Sequence, residues 1–107
     1  MEKSLIMKDF NSQVCTSVEQ SKRLLAMGLK PETADCYNRE EGYGYSNWIG
    51  KPSLHSDVPA WSLHRLMIIG NIGKSGFTNV NEAYNTCISL IASHIRFGLL
   101  NKEYFKQ

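Results

Sequence analysis

The stretch DVPAWSLHRLMIIGNIGKSG, residues 57–76, decides how the fold is read. Pro59 fixes its own φ and pushes Val58 into extended backbone. Ser62 then stands where a helix N-cap is wanted, and Leu63, Leu66, Met67 and Ile69 recur at three- and four-residue spacing. Trp61 precedes the cap, in the position of a hydrophobic staple against Leu66. Gly70 ends the pattern. The stretch therefore reads as an extended approach followed by a short amphipathic helix.

The same residues invite two chemical readings. Ser62 with His64 could be a nucleophile and its base. Residues two apart on a helix point to different faces, however, and no glycine elbow surrounds the serine. Gly73-Lys74-Ser75 suggests a phosphate-binding loop, but that loop needs a glycine at position 68. Position 68 is Ile68 and the glycine comes at Gly70, which leaves the loop too short to encircle a phosphate. The piece IIGNIGKSG also resembles the opening strand of bacterial single-stranded-DNA-binding proteins. Their barrel needs several further strands, whereas a helical pattern follows here. Gly70, Gly73 and Gly76 read as punctuation in a connector between two helices.

Upstream, a helix is predicted over about residues 17–27. Thr16 and Glu19 have capping-box spacing, and Val18, Leu24, Leu25 and Met27 form its apolar stripe. Gly28 takes the left-handed position after it, Leu29 supplies the apolar contact that follows, and Pro31 stops any continuation. Downstream, Asn79 and Glu82 mark a third helix. Its stripe runs through Ala83, Tyr84, Cys87, Ile88, Ile91, His94 and Ile95, and Gly98 closes it. His94 reads as a half-buried, hydrogen-bonded side chain. The tail brings Tyr104 and Phe105 back to dock. Between the first two helices, a strand starting at Cys36-Tyr37 leads into glycines flanked by Tyr43 and Tyr45, the signature of a hairpin. The expectation is a single small α+β domain, about three helices packed with a short antiparallel hairpin. An essentially all-α domain is the alternative. Residues 1–12 read as a loosely ordered arm, with an edge strand over Met1 to Phe10 as the alternative.

Composition narrows the function. The chain has 107 residues, 42% hydrophobic and 21% charged, which suits one globular domain rather than a disordered segment. A net charge of +2 gives little general attraction for phosphates. No apolar run approaches the ~20 residues of a membrane span. Lys8 and Asp9 break the N-terminal run that a signal peptide would need. Cys15, Cys36 and Cys87 are odd in number and lack CxxC spacing. They read as small buried side chains rather than a disulfide framework or a zinc site. These features together suggest a cytoplasmic protein with no membrane, metal or cofactor.

Three blocks of the chain carry a resemblance. Glu19 to Lys22, Gly28 to Asp35, and Pro59 to Leu63 together resemble a set of small proteins of Bacteroides-type gut bacteria and their mobile elements. That set typically shows Glu-Gln-Ser-Lys, Gly-Leu-x-Pro-x-Thr-Ala-Asp and Pro-Ala-Trp-Ser-Leu. The chain departs from it in a short glycine-rich segment after the Trp-Ser helix, and in Ser93-His94 where an aromatic is usual. The resemblance implies a shared fold and a phage or mobile-element origin. It brings no activity.

The residues bear on three function classes. For an enzyme, His55, Asp57, His64, His94, Asp35, Glu40 and Glu41 are the available groups. His55 and Asp57 sit in a loop with one residue between them, a weak metal-holding spacing, and no second pair has ligand spacing. For nucleic acid, Tyr37, Tyr43, Tyr45 and Trp48 are interleaved with Arg39 and Lys51, the mixture that stacks on unpaired bases, although Glu40 and Glu41 interrupt it. For a protein partner, the same loop and Trp61 could supply anchor residues. The expectation is a non-catalytic accessory or protein-interaction module. Its candidate contact residues are Arg39, Tyr43, Tyr45, Trp48, Lys51 and Trp61. Homo-oligomerisation through the last helix belongs to the same class, and nucleic-acid binding is the alternative.

Overall fold

The computed structural model describes residues 14–42, 44–73 and 79–105. The expected N-terminal arm, Tyr43 and most of the glycine-rich connector lie outside them. The element order is α1 (Val18–Met27), a 3₁₀ turn (Pro31–Thr33), β1 (Cys36–Glu41), β2 (Gly44–Ile49), β3 (Val58–Ala60), α2 (Leu63–Gly70) and α3 (Val80–Arg96). The fold is the expected α+β arrangement, with three helices beside one antiparallel sheet ordered β2-β1-β3. The sheet exceeds the expected hairpin by one strand, because Val58-Pro59-Ala60 pairs with Asn38-Tyr37-Cys36.

Local capping chemistry sets the helix ends. Ser62 accepts a hydrogen bond from the Arg65 amide, and Asn79 accepts one from the Glu82 amide, both as expected. Gly28 and Gly98 both adopt left-handed backbone at φ 105° and 70°, which a side chain would strain. The sequels differ: Leu29 is buried in the core, whereas Leu99 stands exposed and Leu100 is buried instead. The box that opens α1 is not Thr16 with Glu19. Ser17 caps the helix, and Gln20 reaches back to the Ser17 amide. Thr16 is taken by tertiary structure. Its hydroxyl bonds Ser21 at 2.7 Å and accepts from the Trp61 amide at 3.1 Å. The buried side of α1 accordingly holds Gln20, Ser21 and Leu24, with Val18 only half-buried.

The main core gathers Leu24, Leu29, Trp61, Leu66, Ile69, Tyr84, Cys87, Ile88 and Ile91. Tyr104 and Phe105 pack against it, and Phe105 forms an isolated bridge with Leu29. Gly70 is the last residue of α2, with Asn71 left-handed after it. A Cβ on Gly70 would meet Ile91 Cγ1 at 3.1 Å, so the absent side chain sets how closely α2 approaches α3.

Trp61 is 0% exposed at the centre of this core. It is therefore architecture and not a contact residue, which corrects one of the sequence assignments. Its indole Nε1 donates to Thr33 Oγ1 at 3.0 Å, and the Thr33 hydroxyl donates to the Lys30 carbonyl at 2.6 Å. Leu66, its expected staple partner, lies in the same cluster.

The cysteine reading also needs correction. All three are buried, but Cys15 and Cys36 form a disulfide, with Cα atoms 6.5 Å apart. Sequence spacing could not show this. The pairing arises because the segment before α1 lies along β1, where the Asn38 side chain donates to the Thr16 carbonyl. The bond removes the cysteine argument for a reducing compartment. Cys87 is free, and burial raises its pKa, so it stays a protonated thiol.

Two stability outcomes follow. Trp61→Ala should cost about 3–5 kcal/mol, read from urea denaturation, because it opens a core cavity. Reducing Cys15–Cys36, or replacing both cysteines by serine, should lower stability by about 3 kcal/mol for a loop of this length. An unchanged urea midpoint under reductant would show the cross-link to be idle.

Candidate protein-interaction face

The six sequence candidates do not converge. Trp61 is interior, Tyr43 lies outside the described residues, and the rest are sorted by strand parity. In the hairpin register, Tyr37 faces Trp48, Arg39 faces Ser46, and Glu40 faces Tyr45. Directly opposed residues share a face and neighbours alternate. Tyr45 and Trp48 thus project from opposite sides of the sheet. Tyr45 shares its side with Cys36, Asn38, Asn47 and Ile49. That side is buried along β1 and opens along β2.

The other side carries a row across all three strands: Pro59, Tyr37 and Trp48. Beside it stands Arg39, whose guanidinium carbon lies 4.9 Å from the centre of the Tyr37 ring. Trp48 is 46% exposed, and its Nε1 is held by Ser46 Oγ at 2.7 Å. A fixed, half-exposed indole flanked by a tyrosine and a proline can bury apolar area on a partner at little entropic cost.

Arg39 is not a free cation. Its Nε and Nη2 donate to the two oxygens of Asp57 at 3.0 and 2.9 Å, and Nη2 also donates to Ser53. The Asp57 carboxylate accepts two further bonds, from the Ser53 and Leu54 amides. The Arg39 hydrogen bond, with help from those amides, holds Asp57 well below the usual carboxylate range. This is a closed bidentate clamp that ties the 53–57 loop to β1. Lys51 lies just past the end of β2 and donates to the Glu32 carbonyl at 3.3 Å. Of the two basic groups, Arg39 is thus paired with a carboxylate and Lys51 with a backbone carbonyl.

The candidate chemical groups have other occupations. Ser62 donates its hydroxyl to Asp35 Oδ2 at 2.6 Å, and its amide bonds Oδ1 of the same carboxylate. The serine and Asp35 thus join the 3₁₀ turn to α2. His55 and His64 are exposed. Among the described residues, no three His, Cys, Asp or Glu side chains gather as a metal site. A cleft of about 540 Å3 between the ends of α2 and α3 is lined by His94, Asn71, Leu99 and Tyr104. Another of about 540 Å3 lies along the polar side of α3. Neither contains His55, Asp57 or His64. Burial raises the Tyr84 pKa to about 12, and its hydroxyl donates to the Val14 carbonyl.

Sequence reasoning missed Ile49, the most exposed apolar side chain of the hairpin at 78%, and Asp57 as the partner of Arg39. A strict period-of-two reading of residues 36–49 would have separated Tyr45 from Trp48. No local signal announces a clamp across 18 residues.

No protein-family model, no curated protein and no solved structure matches the chain. The blocks that carry the sequence resemblance are used by the architecture. Gln20, Ser21, Thr33, Asp35 and Ser62 each spend their side chains on caps or junctions, and Leu29, Ala60 and Trp61 are core.

The folded-state pKa of Asp57 is depressed, so its stabilising contribution is present above the ordinary carboxylate range and disappears as pH falls below about 4. Asp57→Asn should lower the urea midpoint at pH 7, and the gap from the unaltered chain should close in acid. A gap that stays constant with pH would place the effect outside the ion pair.

Proposed function

We propose that this chain is a non-catalytic protein-interaction module that docks a protein partner on the sheet face built by Trp48, Tyr37 and Pro59. One observation carries the reading: Trp48 is held half-exposed beside Tyr37, while the adjacent cation, Arg39, is internally neutralised by Asp57. A nucleic-acid surface would need open cations near its stacking rings. A protein interface favours an aromatic anchor with few free charges at its centre. Among the described residues, no helix is long and apolar enough to cross a membrane. The phage or mobile-element origin that the sequence resemblance implies is compatible with such a module and adds no site to it.

The test is capture of partners from host lysate, with and without nuclease, using the unaltered chain and Trp48→Ala. A protein retained through nuclease treatment should then bind in purified form, and Trp48→Ala should weaken it about thirtyfold. Salt-sensitive, Trp48-dependent binding of single-stranded oligonucleotides, with no protein retained, would overturn the reading.

A further inference from the structure

The two edges of the sheet are built differently. β3 is three residues long with Pro59 at its middle, the kind of edge that resists further pairing. β2 has six residues in unbroken one-to-one register with β1. It contains no proline, no charge and no bulge, and among the described residues no strand pairs with its outer side. Tyr45 and Ile49, on one face of that strand, are 48% and 78% exposed.

We propose that the open edge of β2 pairs antiparallel with β2 of a second copy of this chain, centred on Asn47. The proposal rests on reading the hairpin as the interaction element, and it adds a self-pairing edge to the docking face. The register follows from parity. A two-fold axis perpendicular to the sheet keeps like faces together, so opposed residue numbers must differ by an even count. Centring on Asn47 places Tyr45 against Ile49 of the second copy, twice over, and Ser46 against Trp48. Centring on Ser46 would leave Ile49 with no partner in β2. Charge selects the direction. Glu40 and Glu41 are exposed at one end of the hairpin, and Lys51 is exposed just past the other. An antiparallel copy brings each Lys51 to the end of the hairpin where the other copy carries its glutamates, one strand in from the joined edge, whereas a parallel copy would bring the glutamates of both copies to the same end. The joined sheets continue the Pro59–Tyr37–Trp48 face across the two-fold axis.

The experiment is sedimentation velocity of the full chain over about three decades of concentration, with three variants whose folding is checked by circular dichroism. The unaltered chain should dimerise. Ile49→Lys should weaken the dimer about tenfold or more, because it removes an apolar pair at each end of the contact. Adding Tyr45→Glu to Ile49→Lys should restore it, since each new Glu would face a new Lys across the axis. A monomer at every concentration overturns the proposal, as does a dimer indifferent to Ile49→Lys or a double variant that stays monomeric. Hydrogen exchange showing β2 amides protected in a monomer would mean another segment covers the edge, which also overturns it. Trp48→Ala, on the face rather than the edge, separates the two readings. Dimerisation lost while Trp48-dependent partner binding persists defeats only the edge pairing. A dimer without any Trp48-dependent partner defeats only the docking face.

Discussion

Most of this structure depends on how Thr16 and Trp61 are joined. Thr16 donates its amide to the Trp61 carbonyl, and its hydroxyl accepts the Trp61 amide. The same threonine holds Ser21 on α1 and, through its carbonyl, Asn38 on β1. From the other side, the indole of Trp61 reaches Thr33, whose carbonyl receives Arg65 of α2. Two residues 45 apart thus tie together the helices, the 3₁₀ turn and the sheet. Each polar group is buried at a cost that only its bond offsets. Among the described residues, no buried side-chain polar atom lacks a partner, so a mispacked alternative would strand several of them together. Such a satisfied network favours one arrangement over many that are equally apolar.

What was legible in the sequence follows the range of the physics. Helix ends are local: a hydroxyl or amide three residues before an N–H, or a glycine free to turn left-handed, is visible in a short window. Ser62, Asn79, Gly28 and Gly98 were accordingly read correctly. The α1 cap slipped by one residue because the choice between Thr16 and Ser17 is made at Trp61, far along the chain. The Cys15–Cys36 bond and the Arg39–Asp57 clamp were invisible for the same reason. The candidate surface failed in another way. Tyr45 and Trp48 were grouped by closeness in sequence, whereas a strand divides its residues by parity. Trp61 reads equally as an interface anchor and as a staple before a cap, and its position before the cap is the better guide to its burial.

The clamp explains why the sheet can present an aromatic face at all. A two-stranded hairpin is marginal in water. Here β1 is supported by β3 on one side, while Asp57 anchors the 50–57 connection to Arg39. The Tyr37 ring lies under the guanidinium and is thereby fixed beside Trp48. Rigidity of this kind lowers the ordering cost that a partner would otherwise have to offset.

The tail adds a constraint of timing. Phe105 bridges Leu29, and the Lys30 amide donates to the Tyr104 carbonyl, so the turn after α1 is completed by residues made more than seventy positions later. During synthesis the backbone hydrogen bonds within α1 and between β1 and β2 can form as they emerge, because they are local, while packing of α1 on β3 and α3 waits for residues made later. The seam around Leu29 stays open until the segment near residue 105 has left the ribosome. Closure of that edge begins only then, so the growing domain carries an unfinished seam at Leu29 that none of its earlier residues completes.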